Sequence, residues 1–116
     1  MSEIQTKDPE IHYRDDGSPW YEEWYNVDGV RHRADGPAWI GYYSDGTVKY
    51  ETWYRDGKWH RVDGPANIEY NRKGIIYETD WSLYGEEFEL DEFLGVTDVD
   101  SKAVICWCLL HGVEIL

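Results

Sequence analysis

Six Asp-Gly pairs punctuate the chain, beginning at residues 16, 28, 35, 45, 56 and 63. Asp-Gly is a strong hairpin signal, because glycine accepts the positive φ of a primed turn and aspartate hydrogen-bonds its own backbone there. Successive pairs are 7 to 12 residues apart, which leaves room only for short strands. The spacing therefore predicts a mainly β fold made of antiparallel hairpins.

The hairpin signals recur with a period of about 28 residues, the distance that separates Asp28 from Asp56. Residues 53–66 read WYRDGKWHRVDGPA, and residues 24–38 read WYNVDGVRHRADGPA, which is the same string with one insertion. A fixed period of this size is the signature of a repeat architecture. We therefore interpret the chain as a β-repeat protein whose hairpins form a meander sheet.

The repeats divide the 116-residue chain, which is short enough to be one domain. Residues 1–10 are interpreted as an N-terminal tail. Residues 11–88 are interpreted as three β-repeats, of which the first and the third are degenerate. Residues 89–116 are interpreted as an acidic turn followed by an apolar helix packed on the sheet. Within the repeats, Ile11, Ile40 and Ile68 each stand two residues before a tyrosine, which predicts an apolar core face.

The C-terminal segment changes from strand to helix periodicity. Residues 89–94 predict a short helical turn that ends at Gly95, and residues 101–111 predict a helix with Gly112 as its C-terminal cap. This helix is apolar nearly all round, so we expect it to be buried on most sides. It packs on the sheet or forms a homodimer through Ala103–Leu110, and packing within one chain is favoured because a single-layer sheet needs a cover.

The cysteine content and the termini predict a cytoplasmic protein. Cys106 and Cys108 are two residues apart in the predicted helix, so they point to different faces and do not readily pair. We expect reduced, buried and inert thiols. No apolar run has the length of a membrane span, and the N-terminus lacks the features of a secretory signal.

The charge of the chain is strongly negative. The formal net charge is −13 at pH 7, and residues 78–100 contain no Lys or Arg. Nucleic-acid binding requires a positive surface, so we expect no direct nucleic-acid partner. An acidic stretch is often only a solvated face. The alternative is a surface that binds a basic partner protein, and we assign to it Glu86, Glu87, Glu89, Asp91 and Glu92.

Aromatic residues concentrate in the repeats, where all ten Tyr and six of the seven Trp lie between Tyr13 and Tyr84. A sheet has two faces, and a small helical segment covers only one of them. The other face is then either an aromatic surface whose side chains pack on one another or a recognition surface for a partner or a nucleotide. We assign to this possible aromatic and basic face Trp39, Tyr43, Trp53, Trp59, Arg33 and Arg61.

Residues that resemble catalytic or metal sites have simpler structural explanations. His32 and His60 occupy equivalent positions and each precedes an arginine, which favours a repeated structural role over acid–base chemistry. Two histidines without further ligand spacing are a weak metal signal. The sequence contains no phosphate-binding loop, nucleophile elbow or Cys-x-x-Cys motif. We therefore predict no catalytic residue, no metal, no cofactor and no enzymatic activity.

The string Trp-Tyr-x-x-Gly-x-x-His-Arg-x-Asp-Gly-Pro-Ala at residues 53–66 resembles a MORN-like repeat. It is similar to the variant found in small proteins of bacteriophages and giant viruses, where several repeats lead into a short acidic helical tail. The resemblance covers roughly residues 11–112. It implies a β-hairpin meander and a role in contacts rather than in chemistry, and it provides no catalytic residues to transfer.

These observations together predict a non-enzymatic, acidic interaction protein. We interpret it as a phage-encoded inhibitor that acts in the host cytosol, where it binds a host defence or nucleic-acid-handling protein with a basic surface. A first alternative is a module that sequesters a nucleotide or another small ligand in an aromatic pocket. A second alternative is a virion structural or assembly protein.

Overall fold

The computed structural model describes residues 9–115 and is mainly β, as the sequence predicts. The predicted tail of residues 1–10 lies outside the described range except for its last two residues, and the first strand already begins at Glu10. The elements in chain order are β1 Glu10–Tyr13, β2 Pro19–Glu23, β3 Trp39–Tyr42, β4 Val48–Thr52, β5 Tyr54–Arg55, β6 Lys58–Trp59, β7 Asn67–Tyr70, β8 Ile76–Leu83, β9 Glu86–Phe88, α1 Leu90–Leu94 and α2 Ser101–His111.

Seven of the strands form one antiparallel sheet in the order β1-β2-β3-β4-β7-β8-β9, and β5 pairs with β6 as a separate hairpin. Each strand of the large sheet pairs with its predecessor in that sheet, so the sheet is a meander. The molecule measures 44 × 39 × 18 Å. The smallest dimension is less than half of either of the others, so the molecule is flat.

The three hairpins β1–β2, β3–β4 and β7–β8 share one geometry. Their turns contain Gly17, Gly46 and Gly74, whose φ angles of 86°, 90° and 81° lie in the region that favours glycine. Each hairpin also contains a β-bulge, where the register shifts by one residue. The extra residue is exposed in every case: Trp20, Lys49 and Tyr77.

Two of the six Asp-Gly pairs are not hairpin turns, contrary to the sequence expectation. Gly36 and Gly64 are buried and do not have positive φ. A Cβ atom on Gly64 would lie 2.5 Å from Cζ of Arg61, and one on Gly36 would lie 2.7 Å from Cζ of Arg33. These glycines are required because an arginine side chain packs directly on the backbone.

Each of these arginines lies between a glycine and a tryptophan. The Arg61 guanidinium is 4.0 Å from the centre of the Trp53 ring, and the Arg33 guanidinium is 3.9 Å from that of Trp24. Arg61 also donates to the carbonyl of Pro65 at 3.3 Å and to Asp63 at 2.9 Å. The arginine, aspartate and glycine of the repeated string therefore act together as packing residues.

The main apolar core lies at the C-terminal end of the sheet. It joins the end of β8 to both helices through buried residues: Trp81, Leu83, Phe93, Val99, Val104 and Cys108. The Trp81 ring is 5.4 Å from that of Phe93 and 6.0 Å from that of Trp107. The helical segment thus packs within the chain, against the last strands of the sheet.

The helix boundaries agree with the sequence analysis. The Asp100 carboxylate caps α2 by accepting from the N–H of Ala103 at 3.1 Å, and Gly112 ends it with a φ of 69°. The expectation that α2 is buried on most sides is wrong for the single chain, because only Val104 and Cys108 of this helix are buried. The face that contains Ile105, Cys106, Leu109 and Leu110 is exposed.

Two further expectations about burial hold only in part. Ile40 and Ile68 are buried, but Ile11 is 42% exposed because β1 is the edge strand of the sheet. Of the two cysteines expected to be inert, Cys108 is buried and burial raises the pKa of its thiol, whereas Cys106 is exposed.

Within residues 9–115, no helix combines the length and apolar character needed to cross a membrane.

Candidate functional site

The most prominent candidate site is an acidic groove at the C-terminal end of the sheet. It has a volume of about 630 Å³, and it lies between β8, β9, the start of α1 and the segment after α2. Neither Lys nor Arg is among the described residues that line it. Six carboxylates line it: Glu78, Asp80, Glu87, Glu89, Glu92 and Glu114.

The groove contains only part of the acidic surface that the sequence predicts. Glu87, Glu89 and Glu92 line it, whereas Glu86 and Asp91 do not. Glu86 pairs with Leu83 in β8, one position away from Glu87, so its side chain points to the other face of the sheet. Asp91 instead accepts a hydrogen bond from the N–H of Glu92 at 2.9 Å.

The sequence analysis missed the other three carboxylates. Glu78 and Asp80 belong to the preceding strand, and Glu114 follows α2. The available signal was the strand alternation: Glu78 and Asp80 are two residues apart, so they share one face. Glu87 pairs with Ser82, two residues beyond Asp80, and therefore lies on the same face.

The carboxylates in the groove repel one another. A hydrogen bond to Asp80, followed by its negative charge, raises the pKa of Glu87 above its ordinary value. The same two causes raise the pKa of Glu78. Like charges held this close favour a shared proton or an external cation. The side-chain amide of Asn67 donates to Asp80 at 2.9 Å, which fixes the central carboxylate in place.

Apolar residues also line the groove. Trp81, Phe88, Leu90 and Val113 contribute to its surface beside the carboxylates. Trp81 and Phe88 form the cross-strand pair at the start of the β8–β9 hairpin, and both rings pack near Phe93, on the face of the hairpin opposite the Glu87 side chain. The half-buried Leu90 and Val113 leave apolar surface beside the carboxylates, and this combination matches a lysine or arginine side chain, whose stem is apolar and whose head is charged.

A second concavity, of about 300 Å³, contains three of the six residues assigned to the aromatic and basic face. Arg33, Trp53 and Arg61 line it together with Arg55 and His60. Arg61 stacks on Trp53, and the carboxylates of Asp35 and Asp63 are also part of the lining. The concavity is thus a basic pocket in an otherwise acidic protein, but its arginines are partly neutralised.

The other three predicted residues are not in that pocket. The Trp39 ring lies under the guanidinium of Arg31 at 3.9 Å, on the sheet face that also contains Tyr50. The Tyr43 hydroxyl donates to the carbonyl of Tyr70 at 2.7 Å. Trp59 belongs to β6 and pairs with Tyr54. The predicted face is therefore not one continuous surface.

The two repeated histidines have structural roles. Nδ1 of His32 accepts from the backbone N–H of Asp56 at 3.0 Å, and Nδ1 of His60 accepts from that of Tyr84 at 3.0 Å. Each histidine thus contacts the following turn. Nδ1 is occupied in both rings, so these two residues do not form a joint metal site through that atom.

A third cluster, which the sequence analysis did not identify, lies on β1 and β2. Glu10, His12 and Glu23 bring one nitrogen and two carboxylate oxygens within 4.8 Å of one another. Burial would raise the pKa of Glu23, but hydrogen bonds from Tyr25 and Arg31 outweigh burial and lower it. The signal available in the sequence was Glu-x-His on one strand, although the third member requires knowledge of the strand register.

Comparisons with protein-family models, with curated proteins and with solved structures find no match to this chain.

Proposed function

We propose that this chain is a non-enzymatic inhibitor that binds a host protein with a basic surface through the acidic groove. The observation that supports the proposal best is the presence of six carboxylates around one groove, without a lining Lys or Arg among the described residues. In this interpretation the protein is phage-encoded and acts in the host cytosol. Its partner is a defence or nucleic-acid-handling protein, whose positive surface normally faces phosphates.

The chemistry of the groove explains why it would select such a partner. A hydrogen bond to Asp80 and then its negative charge raise the pKa of Glu78 and of Glu87, so the groove disfavours ionisation of these carboxyls. A lysine or arginine head group relieves that repulsion, and its stem packs against apolar side chains such as Val113. Complementary charge also accelerates association, which suits an inhibitor that must find its target quickly.

The proposal includes the interpretation of the fold as a set of MORN-like repeats. Its support is the repeated sequence string and the contacts that recur in the two aligned segments. Trp24, Arg33 and Gly36 pack together as Trp53, Arg61 and Gly64 do. The repeated residues then build the scaffold, and the last hairpin with its acidic tail provides the binding surface.

The test is capture of host proteins from lysate at low salt, followed by elution with a salt gradient. The variant Glu87→Gln/Glu89→Gln/Glu92→Gln removes three charges from the groove. The matched control Asp15→Asn/Asp28→Asn/Glu86→Gln removes three exposed charges outside it. We expect the wild type and the control to retain one basic partner that elutes at moderate salt, and the groove variant to release it at much lower salt.

Direct titration with an oligoarginine peptide and then with the captured partner completes the test. The partner should bind the wild type with defined stoichiometry, and its own activity should decrease in proportion to the amount bound. The proposal fails if the groove variant and the charge-matched control bind equally well. It also fails if the bound partner keeps its full activity.

A second candidate function is sequestration of a nucleotide or another small anion in the basic pocket. Its support is the convergence of Arg33, Arg61 and Trp53 around a concavity of about 300 Å³. It ranks second because Arg61 already stacks on Trp53 and pairs with Asp63. A ligand that binds the folded state raises the unfolding temperature by mass action. No shift across a panel of nucleotides at millimolar concentration would exclude this function.

A further inference from the structure

We propose that Glu10, His12 and Glu23 form a Zn²⁺ site that clamps the edge strand β1 to β2. This site lies at the other end of the large sheet from the acidic groove, and it does not depend on the proposed inhibitor function.

The backbone of the hairpin brings the three side chains together. Glu10 stands directly opposite Glu23 in the β1–β2 register, and His12 is two residues from Glu10 on the same strand. The three side chains therefore lie on one face of the sheet. The His12 ring also stacks on Tyr21, with ring centres 4.3 Å apart, which holds the imidazole in position.

The distances between the candidate ligand atoms are close to those of a zinc site. Nε2 of His12 is 3.0 Å from Oε1 of Glu10 and 3.1 Å from Oε2 of Glu23. A tetrahedral Zn²⁺ with ligands at about 2.0–2.2 Å places neighbouring ligand atoms roughly 3.3–3.6 Å apart. The His12 side chain is 31% exposed and that of Glu10 is 62% exposed, so both can move by the few tenths of an ångström that would admit the ion.

Two opposed carboxylates supply negative charge for a cation. Like charges directly opposite each other on neighbouring strands are destabilising, and Glu10 and Glu23 are such a pair. Arg31 binds Oε1 of Glu23 and leaves Oε2 facing His12. Arg31 thus orients the buried ligand from outside the metal site, as partners of metal ligands commonly do.

The mixture of donors selects the kind of metal. One imidazole and two carboxylates suit Zn²⁺, whereas Mg²⁺ and Ca²⁺ prefer oxygen ligands alone. Three protein ligands leave one tetrahedral position, which water would occupy because the Glu10 side chain is 62% exposed.

The test is a calorimetric titration of the chelator-treated full chain with zinc chloride. We expect saturation at one ion per chain and a zinc-dependent rise in unfolding temperature. His12→Gln and Glu10→Gln should each weaken binding at least about tenfold. Glu10→Gln is the safer variant for folding because its side chain is largely exposed. Unfolding in the presence of chelator should show that both variants remain folded.

Two controls distinguish this site from other sources of zinc affinity. Cys106→Ser and His111→Gln remove exposed potential ligands at the opposite end of the chain and should leave binding unchanged. Mg²⁺ should give no saturable heat. The proposal is overturned if zinc does not saturate up to millimolar concentration, or if Mg²⁺ binds equally well. It is also overturned if binding survives in His12→Gln and Glu10→Gln.

Discussion

Nδ1 of His60 accepts a hydrogen bond of 3.0 Å from the backbone N–H of Tyr84. Tyr84 has a φ of 48°, a left-handed conformation that is uncommon for residues other than glycine and costly for a bulky one. His32 makes the same bond to Asp56, whose φ is 49°. Each histidine therefore stabilises a strained turn in the following segment, and it does so only as a neutral ring with its proton on Nε2.

Replacing His60 tests this relationship. His60→Ala removes the acceptor and leaves the N–H of Tyr84 without its partner, so the free energy of unfolding should decrease by about 1–3 kcal/mol. His60→Asn restores an oxygen acceptor and should recover part of that loss. Lys102→Ala, on the exposed surface of α2, should change stability by less than about 0.5 kcal/mol. Urea denaturation gives these values, and equal effects of His60→Ala and Lys102→Ala would refute the assignment.

The same histidine should make stability depend on pH. Burial, followed by the charge of Arg55, lowers the pKa of His60 below its ordinary value of 6.5. As the pH falls below 6.5, this ring therefore takes up its proton in the unfolded chain before it does so in the folded chain. The contribution of the neutral ring is complete above that pH and is lost as the pH falls. Between about pH 8 and pH 5, wild-type stability should decrease more steeply than that of His60→Asn, and parallel curves would contradict this.

The contact between Arg61 and Gly64 provides a second stability test. A methyl group on Gly64 would displace the guanidinium from Trp53 and from the carbonyl of Pro65, so Gly64→Ala should cost about 1–2 kcal/mol. The control is Gly95→Ala, because the nearest atom to its added Cβ lies at an ordinary 3.5 Å. In an Arg61→Ala background, Gly64→Ala should cost less. Additive effects in this double-mutant cycle would show that the clash is not the cause.

This contact also shows which parts of the fold the sequence could predict. The turns at Gly17 and Gly46 were predictable because their positive φ is a local demand of the hairpin. Asp63-Gly64 is the same dipeptide, but its glycine is required for a different reason. It leaves space for the side chain of Arg61, three residues earlier. Only the packing in three dimensions separates these two reasons for a glycine.

The site was predictable to the extent that its residues are neighbours in the sequence. Glu87 and Glu89 were found because they belong to one acidic stretch. Asp80 was missed because it reaches the same groove from the neighbouring strand, and Glu114 because it returns from beyond α2. Strand register, including the bulges, determines which side chains from different segments line one groove. The amino-acid composition does not encode that register.

Neutralising one groove carboxylate should stabilise the protein at neutral pH. Asp80 raises the pKa of Glu87, so above pH 4.5 this carboxyl binds more protons in the folded chain than in the unfolded chain. Stability is therefore lost as the pH rises through the raised pKa. Glu87→Gln should increase the midpoint of thermal unfolding at neutral pH and have little effect at acidic pH. Glu86→Gln, on the other face of the sheet, should show no such pH-dependent gain, and equal behaviour of the two variants would argue against repulsion in the groove.

The exposed face of α2 predicts concentration-dependent association, with the homodimer through Ala103–Leu110 as the expected product. Leu109 is 74% exposed and Leu110 is 75% exposed, so burying them against a second copy removes apolar surface from water. The net charge of −13 opposes this contact, and salt screens that repulsion. The mass measured by light scattering should therefore increase with salt and protein concentration, whereas partner binding through the groove should weaken with salt. The variant Leu109→Ser/Leu110→Ser should remain monomeric, whereas the control Lys102→Gln should associate as the wild type does. A wild type that stays monomeric at high salt and high concentration would exclude the homodimer.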